Sequence, residues 1–131
     1  MSRILAVVFA VVFGLNGLAM LFAAFAWYNT VPGVTATGAF NPHFVRDIGA
    51  IYLVCASALA WFVWRKVQGW PALVAATAFL TLHTFVHIFD ASCSANPLAK
   101  VITDLPGIYV PTLVVLALSY FNRPRGGLAH A

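Results

Sequence analysis

Three polar clusters interrupt an otherwise apolar chain. The stretch LHTFVHIFD carries His83, His87 and Asp90, and HFVRDIG carries His43, Arg46 and Asp47. Asp104 stands alone further on. On a helix, at 100° per residue, His83, His87 and Asp90 fall within roughly 60° of one another. His43, Arg46 and Asp47 cover roughly 100° by the same count. Imidazoles one turn apart with a carboxylate, set against a further imidazole and carboxylate, suit a divalent metal such as zinc, manganese or iron. The ligands would be His43, Asp47, His83, His87 and Asp90. Two of His43, His83 and His87 could instead hold a b-type haem, since no CxxCH attachment motif is present. A third chemistry is a quinone or lipid head bound by the histidines and Arg46 beneath an aromatic rim. The plainest alternative is structural: Arg46 pairs with Asp47, Asp90 or Asp104 and locks helices together.

Composition says what kind of scaffold must hold these groups. Of 131 residues, 63% are hydrophobic and 8% charged, with no glutamate. Soluble domains carry roughly 25% charged residues, so this is an integral membrane protein with the lipid bilayer as its first partner. The net charge of +4 does not point to nucleic acid, because the basic residues stand singly or in pairs at segment ends. No phosphate loop, dinucleotide fingerprint or nucleophile–base pair is present.

Four hydrophobic runs predict an all-α, four-transmembrane-helix bundle in one domain over residues 1–121, followed by a flexible polar tail, 122–131. The predicted helices are about 4–27, 42–65, 71–90 and 105–121, each close to the length that crosses ~30 Å of hydrocarbon. The first is too long for a signal-peptide core and is read as retained. Asn41 suits the N-cap of the second, and Pro42 its first position. VQGW is expected to be a turn, with the third helix starting at Pro71. Pro97 opens a short helix, and Pro111 predicts a kink or late start in the fourth. Cys55 lies too deep to meet Cys93, so no disulfide is expected.

Arg3, Arg65, Lys66, Arg123 and Arg125 fall on one side of this arrangement, and Lys100 alone on the other. The positive-inside rule then puts both termini in the cytoplasm. Trp61, Trp64, Trp70 and Tyr120 mark the inner boundary, and Trp27, Tyr28 and Tyr109 the outer one; Tyr52 is left in mid-membrane. All three acidic residues and three of the four histidines lie toward the outer face, with His130 in the tail. Below Asp47, the same face continues through Ala50, Val54, Ser57 and Trp61. Its small residues predict close approach of a neighbouring helix. The two polar faces should therefore oppose each other, Asp47 level with His87 and His43 with Asp90. Gly14, Asn16 and Gly17 read as helix-packing residues. Thr77, Thr81 and Thr84 read as hydroxyls bonded back along their own helix.

HFVRDIG opening the second helix, DLPGIYVP opening the fourth and the four short spans together resemble the DoxX-like small bacterial membrane proteins. The resemblance implies a multi-pass protein of the bacterial inner (plasma) membrane, and some such relatives are small subunits of membrane oxidoreductases linked to the quinone pool. The expected function is quinone or lipid binding, or an accessory role in a membrane redox complex. The alternatives are a metal- or haem-dependent membrane enzyme and a purely structural subunit. A second membrane protein or a second copy of the chain is the expected partner.

Overall fold

The computed structural model describes residues 2–124. It runs α1 (Ser2–Phe22), α2 (Ala24–Thr30), a 3₁₀ turn (Val34–Thr37), α3 (Pro42–Trp64), α4 (Lys66–Ser92), α5 (Pro97–Asp104), a π turn (Leu105–Tyr109) and α6 (Val110–Phe121). Four stretches are long and apolar enough to cross a membrane: Ser2–Phe22, Pro42–Trp64, Lys66–Ser92 and Pro97–Phe121. There is no strand among the described residues. The bundle is a ring. α1 packs on α3, α3 on α4, α4 on α6 and α6 on α1, while the diagonal pairs do not meet backbone to backbone. Its centre is filled by Phe13, Leu59, Phe62, Leu73, Leu80 and Val115.

The closest seam is α1 against α3. A methyl group on Gly17 would lie 2.7 Å from the Gly49 carbonyl oxygen, and one on Gly49 would lie 2.7 Å from Met20 Cβ. Two glycines facing each other let the backbones touch, which is how helices gain packing contacts in lipid.

Three element boundaries differ from expectation, each for a local reason. The first span breaks at Ala23 (φ −131°, ψ 40°) and resumes as α2. Across that break Trp27 Nε1 donates to Asn16 Oδ1 at 2.8 Å, so the mid-helix amide has a bonding role beyond packing. VQGW is helical, and Arg65 alone (φ −129°, ψ 79°) makes the corner between α3 and α4. Such a short corner forces the two helices together: a Cβ on Gly69 would lie 2.6 Å from the Phe62 backbone. Pro71 is accommodated inside α4 near its start. The fourth span begins at Pro97, with the Asn96 side chain accepting from the Ala99 N–H. Pro106 and Pro111 lack N–H groups, and the helix answers with the π turn, where the Val110 N–H reaches back five residues to Leu105.

Thr77 and Thr81 bond back to the carbonyls of Leu73 and Thr77 as expected. Thr84 instead bonds Thr112 Oγ1 at 2.9 Å and ties α4 to α6. Arg3 Nη2 donates to the Val63 carbonyl at 3.3 Å, and Trp70 Nε1 to the Ser119 carbonyl at 2.8 Å. Arg3, Arg65, Lys66 and Arg123 therefore share one end of the bundle, the basic end. Asp47, Asp90, Asp104 and Lys100 occupy the other. Both cysteines are free, Cys55 buried and Cys93 exposed. Residues 125–131, including Arg125, His130 and most of the expected tail, lie outside the described residues.

Candidate functional site

At the end opposite the basic residues, α5 and the π turn carry Asp104 into the bundle. Its side chain is 6% exposed. The His87 Nδ1–H donates to Asp104 Oδ2 at 2.8 Å, and Lys100 Nζ donates to Oδ1 at 3.4 Å. Lys100 lies one helical turn before Asp104, the spacing at which opposite charges pair on a helix. A carboxylate at membrane depth is costly, and these two charge-assisted contacts offset that cost. The loop after α2 passes over the pair, with Gly33 beside Thr103, Lys100 and Asp104.

His83 continues the chain of polar groups one turn deeper. Its ring meets His87 edge to face at 4.7 Å, stacks on Phe79 at 5.7 Å and faces the edge of Tyr52 at 6.2 Å. Lys100, Asp104, His87, His83 and Tyr52 thus form a line from the loop end toward mid-membrane. Because Asp104 accepts from Nδ1, His87 Nε2 is left with its lone pair when the ring is neutral, or with a second N–H when it is charged. The Tyr109 hydroxyl, five residues after Asp104 across the π turn, is buried and has no hydrogen-bond partner among the described residues.

Below the histidines, an apolar groove of about 310 Å³ runs between α3 and α4. Ile51 and Phe79 bound it nearer the loop end, and Trp61 and Ala72 nearer the basic end. Phe79 joins groove and cluster, since it lines the one and stacks on His83 of the other.

The expected seven-residue cluster is therefore divided. His83, His87 and Asp104 come together, joined by Lys100 and Tyr52, which were not among the expected members. His43, Arg46, Asp47 and Asp90 do not join them. His43 Nε2 pairs with Asp47 Oδ2 at 3.3 Å on the surface, with side chains 87% and 60% exposed. Asp90 is exposed near the end of α4 and makes no ion pair among the described residues. Arg46 pairs with none of the three carboxylates; its Nε donates to the Leu21 carbonyl at 3.3 Å, tying α3 to α1.

The physical reason lies in the rotation of α3. Its buried stripe (Val45, Gly49, Tyr52, Cys55, Leu59, Phe62) is centred roughly 150° around the helix from the His43–Asp47 face. The Gly17–Gly49 contact holds that stripe inward. Ala50, Val54, Ser57 and Trp61, expected to meet a neighbour, are exposed instead, Val54 by 66%.

The metal set of His43, Asp47, His83, His87 and Asp90 accordingly does not converge. Among the described residues no three His, Cys, Asp or Glu side chains are placed to share an ion. The haem reading fails on geometry too. His83 and His87 touch each other on one helix, leaving no room for a porphyrin between them, and His43 is on the outward face of α3.

The Lys100 signal was present in the sequence as its i,i+4 spacing from Asp104 on a helix opened by Asn96 and Pro97. Tyr52 was visible as the one tyrosine away from either boundary. Comparison with family models, curated proteins and solved structures finds no match for this chain.

Proposed function

We propose that the protein is a quinone-binding membrane module, serving a membrane redox complex as an accessory subunit. The observation that carries this reading is Phe79, which lines the apolar groove between α3 and α4 and stacks on His83 of the His83–His87 pair. The groove suits a long apolar chain, and the stacked imidazole, phenyl and phenol rings suit a flat ring. A neutral head fits better than a phosphate, because the nearby cation, Lys100, is already committed to Asp104. A hydroquinone hydroxyl can donate to His87 Nε2, and a quinone carbonyl can accept from the same atom once it carries a proton.

By the positive-inside rule the basic end faces the cytoplasm of a bacterial plasma membrane, and both termini lie there. The quinone head then sits toward the outer leaflet. The DoxX-like resemblance, with relatives linked to the quinone pool, agrees with this reading.

The test is a titration of the detergent-solubilised protein with a decyl-chain benzoquinone, read by quenching of tryptophan fluorescence. Trp61 lines the groove and is the expected reporter. Saturable quenching is expected. His87→Gln should weaken it by roughly ten-fold or more, the worth of one hydrogen bond to a charged or polarised group. Ser57→Phe, on an exposed position at the groove, should weaken it by blocking the chain. Quenching that never saturates, or that ignores both substitutions, would overturn the proposal and leave the Lys100–Asp104–His87 cluster as a structural lock.

A further inference from the structure

Four cations at the basic end, Arg3, Arg65, Lys66 and Arg123, find no carboxylate partner among the described residues. No side-chain carboxylate could reach them, since the sequence holds only three acidic residues and all three lie at the other end. No side chain supplies counter-charge at this end, which leaves it open to an anion from another molecule.

Beside these cations, a second groove of about 590 Å³ opens sideways between α1 and α3. It is lined by Arg3, Ile4, Val7 and Val8 on one side and by Val63 and Trp64 on the other. Arg3 spans its mouth: one guanidinium nitrogen donates to the Val63 carbonyl, and the remaining N–H groups have no partner among the described residues. On the α3 side the Arg65 guanidinium lies 5.0 Å from the Trp64 ring centroid, held over the aromatic face. Apolar walls therefore run into the membrane beneath one guanidinium group that lines the groove, Arg3, and a second, Arg65, held over the ring of a lining residue. From Ile4 to Val8 the groove descends roughly 6 Å, enough for a glycerol unit and the first carbons of an acyl chain.

We infer that this groove is a binding site for an anionic phospholipid, with the phosphate between Arg3 and Arg65 and the upper acyl chain against Val7, Val8 and Trp64. The site is independent of the quinone reading and lies at the opposite end of the bundle. Charge complementarity selects an anionic head over a zwitterionic one, because the site offers cations and no carboxylate. Access selects a lipid over a soluble acidic peptide, because Val7 and Val8 lie within the span of α1.

The experiment reconstitutes the full chain in vesicles containing brominated phosphatidylglycerol or brominated phosphatidylcholine. The signal of Trp64 is isolated as the difference between wild-type and Trp64→Phe fluorescence. Trp64 is exposed, so this change leaves the core untouched. Expected is a preference of about 25-fold for phosphatidylglycerol at Trp64, falling about five-fold for each cation removed in Arg3→Gln and Arg65→Gln. Both positions are exposed, and far-ultraviolet circular dichroism confirms that the variants keep their helices. Arg65→Gln leaves the Arg3–Val63 tie intact, so a loss there reports the charge and not the packing of α1 on α3. Equal quenching by the two lipids, or a preference that survives the double substitution, overturns the inference. So does protection of Trp64 from both lipids with self-association of the protein, which would make the groove a contact between copies.

Discussion

Replacing Asp104 by leucine tests whether the polar line holds the bundle together. The side chain is 6% exposed and receives His87 at 2.8 Å and Lys100 at 3.4 Å. Breaking a buried pair by removing one partner costs about 3–5 kcal/mol. Two facts put this case at the low end. Lys100 is 18% exposed and can swing its ammonium toward the interface. Its bond is also the longer of the two, so most of the loss is the charge-assisted His87 bond, about 1.5–3 kcal/mol. The expected cost of Asp104→Leu is therefore about 3 kcal/mol. Lys100→Met alone should cost about 1–2 kcal/mol, because His87 still supports the carboxylate. The double variant removes both charges together and should fall short of the summed costs by about 1–2 kcal/mol. Unfolding in mixed micelles, followed by helicity as denaturing detergent is added, measures all four corners of the cycle. An Asp104→Leu cost below about 1 kcal/mol, or additivity within about 0.5 kcal/mol, would refute the pair as a structural element.

Three further outcomes follow from the geometry. Gly17→Leu should destabilise the bundle by about 1–3 kcal/mol or more, because its side chain must enter the space held by the Gly49 carbonyl oxygen at 2.7 Å; the same micelle titration reads it. Asp47→Ala breaks only the exposed pair with His43 and should change stability by less than about 1 kcal/mol, with quinone quenching unaltered. A membrane-impermeant thiol reagent applied to intact cells should label Cys93, which is exposed at the loop end, and spare the buried Cys55. Labelling of Cys93 only after permeabilisation would reverse the orientation.

The spans were legible because apolar runs bounded by Pro, Asn and basic residues report directly on what a bilayer admits. Their junctions were not. VQGW carries glycine and a polar residue, the usual signature of a turn. Yet Gly69 is there because the α3–α4 corner takes a single residue and brings Phe62 against it. The break at Ala23 likewise leaves no mark in a run of alanines and phenylalanines. Only the bond between Trp27 and Asn16, eleven residues apart, pins it. The π turn is different again. Two prolines five apart announce an irregularity, but not that the helix would continue through it.

The candidate site was half legible for a related reason. Helical periodicity groups residues on a face but does not say which way the face turns. On α4 the histidine face happens to coincide with the buried stripe, so His83 and His87 meet Asp104. On α3 the polar face and the glycine face compete for the interior, and the glycine face wins. Gly49 can approach Gly17 only by turning Val45 and Tyr52 inward as well, and that rotation carries His43 and Asp47 outward. At the rim of the membrane this costs little, because interfacial water solvates both groups and the His43–Asp47 pair is exposed. Asp104 had no such exit. The π turn and the roofing loop hold it inside, and His87 and Lys100 are the groups that make that burial tolerable. Burial therefore separates the two polar clusters chemically: the exposed pair can be removed at little cost, whereas the buried one cannot lose Asp104 without leaving both His87 and Lys100 unpaired.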